Sequence, residues 1–123
     1  MEEVTLVVGL PGSGKTTWAK KHKKVNEVII DDPRDLENIS EVCNRHRNVI
    51  IVHPWLCTKV NQETAKTLFE NKAKKIRWVF FENDPKQCKI NARGRDKRVE
   101  HDIDYFSKRY YIPPNALTVP VYR

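Results

Sequence analysis

The chain has 123 residues, 39% of them hydrophobic and 32% charged, and its 23 Lys and Arg against 16 Asp and Glu leave a formal net charge of +7. That length holds one hydrophobic core and not two, and the composition excludes a disordered chain. No apolar run nears the ~20 residues a membrane span requires. The first residues show no charged segment, apolar stretch and cleavage site of a secretory signal, so a cytoplasmic location is the expectation. Cys43, Cys57 and Cys88 are odd in number and widely spaced, which argues against a disulfide framework or a structural zinc site. His22, His46, His53 and His101 have no metal-ligand spacing either.

Val4-Thr5-Leu6-Val7-Val8 reads as a first strand, and it runs into Gly9-Leu10-Pro11-Gly12-Ser13-Gly14-Lys15-Thr16, a full match to G-x-x-x-x-G-K-[ST]. Helix-compatible residues follow, from about Gly14 to Lys24. A strand, then a glycine loop, then a helix is the context a phosphate-cradling loop needs, because glycine angles let successive amides converge on one anion at a helix N-terminus. Gly12, Ser13, Gly14, Lys15, Thr16 and Thr17 form the candidate binding set. Lys15 has the reach for the β- and γ-phosphates and Thr16 the hydroxyl for Mg²⁺, which is expected to arrive with the nucleotide.

Val28 to Ile30 reads as a second strand ending on Asp31-Asp32, with Asp32 and Pro33 suited to start a helix. Leu36, Ile39, Val42, Cys43 and His46 share one stripe at helical spacing. Val49-Ile50-Ile51-Val52 is a strand suited to burial on both faces. Asn61 is the expected cap of a helix turning Ala65, Leu68 and Phe69 inward, and Ile76 to Phe81 is a fourth strand. Asp84 and Pro85 start another helix, which Gly94 is expected to break. A last helix is centred on Ile103, Phe106 and Tyr110, and Leu117 to Val121 is a final strand with Pro120 at an edge. Strands alternating with helices predict an α/β fold around a parallel sheet, as a single domain over 1–123. The lysine runs at 20–24 and 72–75 read as solvated helix ends.

Phosphoryl transfer asks the protein to hold phosphates, neutralise charge and relieve an acceptor hydroxyl of its proton. A carboxylate for the last task belongs at the carboxyl end of a neighbouring strand, where Asp31 stands, with Arg34 three residues on to pair with an anion of the acceptor. The segment Asn91-Ala92-Arg93-Gly94-Arg95-Asp96-Lys97-Arg98 has the composition of a lid closing over a triphosphate. His53, after the third strand, is expected to be satisfied by local backbone, and Trp55 either walls the acceptor cleft or packs.

Four stretches together resemble the kinase domain of phage-type polynucleotide 5′-hydroxyl kinase and the small P-loop kinases grouped with it: Gly9 to Ala19, the Asp31-Asp32-x-Arg34 element, Asn91-x-Arg93-Gly94, and Val119-Pro120-Val121-Tyr122. The resemblance implies a three-layer P-loop kinase fold with a five-stranded parallel sheet of order 2-3-1-4-5, and γ-phosphate transfer from ATP to a hydroxyl. It gives Lys15 and Thr16 to phosphate and Mg²⁺, and Asp31 to the acceptor proton. Arg34 becomes the acceptor's phosphate anchor and Arg93 the lid arginine. The family's polynucleotide members carry an aspartate where His53 stands, and their stretch between the second and third strands is longer. A 5′-hydroxyl of a nucleic acid or nucleotide leads as acceptor. A small-metabolite kinase and a non-catalytic ATP- or GTP-binding module stay open beside it. ATP over GTP follows from the resemblance, since no Asn-Lys-x-Asp guanine-reading motif is present.

Overall fold

The computed structural model describes residues 1–31 and 38–123. Five strands among them form one sheet: β1 (Glu3–Val8), β2 (Glu27–Ile30), β3 (Asn48–Val52), β4 (Lys75–Phe81) and β5 (Thr118–Val119). Every pairing is parallel, and the order is β2-β3-β1-β4-β5. Parallel neighbours cannot be joined by tight turns, so the connections are helical. They are α1 (Lys15–His22), α2 (Ile39–Arg45), a 3₁₀ turn over Pro54–Cys57 continuing into α3 (Lys59–Glu70), α4 (Pro85–Asn91) and α5 (Lys97–Ser107).

Alternation along the central strands feeds two cores. Val4, Leu6 and Val8 of β1 join Val49, Ile51 and Phe80 on the face covered by Ala65 and Phe69 of α3 and Ile103 of α5. Val7, Ile50, Val52, Val79 and Phe81 point the other way, against Ala19 of α1. Continuous β-branched runs are stable only when both faces are covered, and here both are. The carboxyl ends of β1, β2 and β3 then open at one edge of the sheet, the place where doubly covered parallel sheets bind ligands.

Several element boundaries differ from expectation, each for a visible reason. The cap of α3 is Thr58, three residues before Asn61: its Oγ1 accepts the Asn61 N–H at 3.3 Å, while the Asn61 side-chain amide donates to Trp55 O at 2.8 Å and braces the 3₁₀ turn. Asp84 does cap α4, accepting from the Gln87 N–H. That helix ends at Asn91, three residues before Gly94, where the Ala92 N–H closes it on Cys88 O. Tyr110 lies beyond α5. Its hydroxyl donates to Phe81 O at 2.6 Å and Val8 O at 3.2 Å, and it bridges to Thr58, so a tertiary hook overrides the helical register. The last strand is only Thr118–Val119, because Pro120 has no N–H to continue the ladder and the chain turns toward the glycine loop. Lys20, Lys21, Lys23 and Lys24 are exposed, and Lys74 and Lys75 pair with Glu2 and Glu3. Leu36, Asp32, Pro33 and Arg34 lie outside the described residues.

Candidate functional site

The glycine loop leaves β1 and enters α1 with Gly12 at φ 81° and Gly14 at φ 98°, both left-handed. Neither position tolerates a side chain. A Cβ on Gly12 would stand 2.5 Å from Cys88 O, and one on Gly14 2.8 Å from the Tyr122 Cβ. Gly14 is the N-cap of α1 and supplies no side-chain cap, and the first turn carries no acidic residue. The opening N–H groups of a helix have no partner within it, so those of Lys15, Thr16 and Thr17 are left for an external anion, with the helix dipole behind them. Ser13 Oγ is buried without a hydrogen-bond partner beneath the same loop.

Lys15 is only 7% exposed. Its Nζ donates to Leu10 O at 2.8 Å, and burial pulls its pKa from the ordinary 10.5 down to about 8. No carboxylate pairs with it among the described residues. A cation buried against one carbonyl and a row of free amides is a site short of negative charge, and a triphosphate fits that deficit. Mg²⁺ fits less directly. Among the described residues no group of three or more His, Cys, Asp or Glu could hold a metal ion, so the ion's ligands would come from phosphate oxygens, water and the Thr16 hydroxyl.

Around the loop lies a cleft of about 510 Å³, within the range of small-molecule sites. Gly12, Gly14, Lys15, Thr16 and Thr17 line its floor. Asp31, exposed just past β2, and His53, just past β3, form one wall, and Asn91, Arg95 and Tyr122 the other. The sequence assigns Lys15, Thr16 and Asp31 to one place, and the fold brings them there. Of the segment 91–98, Asn91 and Arg95 line the cleft. Arg93 is exposed and is not among the lining residues.

His53 is satisfied locally, as expected: its Nδ1 accepts the Trp55 N–H at 3.0 Å, capping the 3₁₀ turn. That acceptor role places the ring proton on Nε2. Burial first, and the nearby Lys15 charge second, hold its pKa below the usual value, so the ring is neutral at pH 7. Cys57 and Cys88 are free and buried. Burial pushes their thiols up to about 12 and about 11, so neither is a nucleophile here.

A network absent from sequence reasoning ties the loop to the carboxyl-terminal segment. Asn91 Nδ2 donates to Gly12 O at 2.9 Å and also to Tyr122 O, and the Tyr122 N–H donates to Ser13 O at 3.0 Å. Gln87 Nε2 donates to Asn91 Oδ1 at 3.0 Å and fixes the orientation of that amide. In a trans peptide the C=O and the next N–H point opposite ways, so holding Ser13 O outward aims the Gly14 N–H into the cradle. Replacing Asn91 with leucine removes both donors at similar volume. Triphosphate affinity is expected to fall by up to about thirtyfold, read by calorimetry, as the cradle loses two bracing hydrogen bonds of roughly 1 kcal/mol each.

The fold and the loop define a class: a parallel α/β sheet of order 2-3-1-4-5 with a glycine-rich loop between its central strand and first helix. No family model matches the sequence. The chain is 30% identical to the uncharacterized protein R277 of Acanthamoeba polyphaga mimivirus over 120 residues, covering 89% of this chain and 87% of that one. It belongs to the same family as that viral protein. Among solved structures, a chain of the Pnkp1/Rnl/Hen1 RNA repair complex is similar at a TM-score of 0.54 and 17% identity, over 89% of this chain. The match covers 46% of that longer chain, and at this identity the likeness is one of fold.

Proposed function

We propose that the protein is a Mg²⁺- and ATP-dependent kinase of one domain, transferring the γ-phosphoryl group to a hydroxyl, with a nucleic-acid or nucleotide 5′-hydroxyl as acceptor. The observation carrying this reading is the convergence, in one cleft, of a buried Lys15 with no carboxylate partner among the described residues, free helix-terminal amides and the Asp31 carboxylate. The amides of residues 14–17 and Lys15 hold the triphosphate, and Thr16 contributes its hydroxyl to Mg²⁺, which would neutralise phosphate charge. Asp31 accepts the proton of the acceptor hydroxyl as its oxygen bonds the γ-phosphorus. The bond from that phosphorus to the bridging oxygen breaks, and ADP carries the electron pair away.

Arg34 is assigned to the acceptor's phosphate by the resemblance, and so is Arg93 to the lid. Arg95 lines the cleft, which supports a lid role for it in meeting the transferring group. Neutral His53 offers its Nε2–H to an acceptor oxygen, where an aspartate would instead repel phosphate. The fold neighbour's membership of an RNA repair complex supports a nucleic-acid acceptor.

The test is a transfer assay with γ-labelled ATP and three competing acceptors: a 5′-hydroxyl oligonucleotide, a nucleoside and water. Label on the oligonucleotide is the expected result. Label confined to the nucleoside shows a small-molecule kinase. Bound ATP with no labelled product shows a binding module, and no affinity for any nucleoside triphosphate in the presence of magnesium defeats the reading altogether.

A further inference from the structure

A second groove is more spacious than the cleft around the glycine loop. It measures about 660 Å³ and lies between α3 and the chain from Tyr111 to Leu117, with Lys59, two residues past the 3₁₀ turn, among its lining residues. Its floor is aromatic: the half-buried Trp78 lies on the core residue Phe80, their rings stacked with centroids 5.7 Å apart and planes 9° from parallel, and Trp78 with the half-buried Tyr111 are the rings open to a ligand. Its α3 wall carries Lys59 and Lys66, with Glu63 the single acid between them. The Lys59 ammonium stands 5.1 Å from the centre of the Tyr111 ring, and neither lysine is in an ion pair among the described residues. On the far rim Leu117 is 94% exposed. The walls are fixed to each other, since Gln62 Nε2 bridges Tyr111 O at 2.8 Å and Cys57 O at 3.3 Å, and the Tyr111 N–H donates to Cys57 O at 2.8 Å.

Aromatic faces beside unpaired cations, in a preformed trough, are what single-stranded nucleic acid uses: bases stack on the rings and phosphates follow the ammonium groups. An apolar peptide would have no use for the two lysines. Strand order gives the groove a second meaning. Along the carboxyl edge of the sheet, β2 presents Asp31, β3 presents His53 and the exposed Trp55, and the four-residue 3₁₀ turn leads to Lys59 at the groove mouth. That turn spans only about 8 Å at its usual rise.

We propose that this groove is a docking track for the single-stranded nucleic acid acceptor, holding one or two nucleotides beyond the first two at the reacting end. The proposal deepens the kinase reading and rests on it for the identity of the strand. It makes the acceptor a polynucleotide rather than a mononucleotide.

The experiment measures binding of 3′-fluorescein-labelled, single-stranded 5′-hydroxyl dinucleotide and octanucleotide by anisotropy across a salt series, alongside phosphoryl transfer to both. Charge reversal of Lys59→Glu with Lys66→Glu, both on the helix surface, is expected to weaken octanucleotide binding about tenfold. It should also lower the slope of log affinity against log salt by about 1.4, since single strands release roughly 0.7 counterion per phosphate neutralised. Dinucleotide transfer and ATP affinity stay unchanged. Leu117→Asp, at an open rim position, should weaken the octanucleotide alone. Octanucleotide affinity and slope equal to the unmodified protein in both variants overturn the proposal. Loss of the length preference in the variants, in a protein that transfers phosphate to neither acceptor, supports the groove while refuting the kinase reading.

Discussion

Methionine in place of Lys15 is expected to raise the melting temperature by roughly 5–10 °C while phosphoryl transfer falls about 10³-fold or more. The two effects share one cause. Burial drags the Lys15 pKa from 10.5 to about 8, so the fold at neutral pH holds a charge it disfavours, at a cost of roughly 2–3 kcal/mol after allowing for its bond to Leu10 O. Methionine fills the same space without that cost, and Leu10 O keeps the Ser13 N–H as a donor. The pH dependence follows in sign. The unfolded chain binds more protons at this group between pH 8 and 10.5, so the Lys15 penalty is full below pH 8 and disappears as pH rises through that window. Triphosphate binding restores the charge, so above pH 8 it takes up a proton and weakens by up to about tenfold per pH unit. Calorimetry in buffers of different ionisation enthalpy reads that uptake. Its absence at pH 9, or a melting point lowered by methionine, contradicts the electrostatic account.

Asp31→Asn is expected to lower kcat by about 10²–10⁴-fold while ATP affinity holds within a factor of two or so. Asparagine keeps the shape and loses only the capacity to take a proton. The side chain is exposed at the end of β2, so stability should stay within about 0.5 kcal/mol. A single-turnover assay at saturating ATP separates chemistry from binding. Transfer that survives the substitution removes Asp31 from the role of base and returns attention to the lid and His53.

What the sequence discloses and what it hides divide by range. Strands β1 to β4 are legible because their apolar residues are contiguous, and the glycine loop because its motif lies within eight neighbouring positions. Asp31 is legible because strand ends in a parallel sheet share one edge. The Thr58 cap is hidden by a competing cap residue three positions on. The Tyr110 hook is hidden because its two acceptors, Val8 O and Phe81 O, lie 102 and 29 residues away. Asn91 stands in the candidate lid, yet its partner Gly12 is 79 residues distant, so composition marks the segment without revealing that it braces the cradle. Arg95 rather than Arg93 faces the cleft because α4 stops at Asn91 and the following turn, with Gly94 at φ 87°, resets which side chain points inward. No periodicity argument supplies that rotation.

The two interior thiols have a practical consequence. Cys57 lies against Gly9 and Cys88 against Gly12, one on each flank of the cradle, and both resist ionisation. An alkylating reagent can reach them only when that region breathes. The rate at which iodoacetamide consumes each thiol, followed peptide by peptide, is therefore a built-in clock for loosening of the glycine loop, one that needs no engineered reporter and no knowledge of the acceptor.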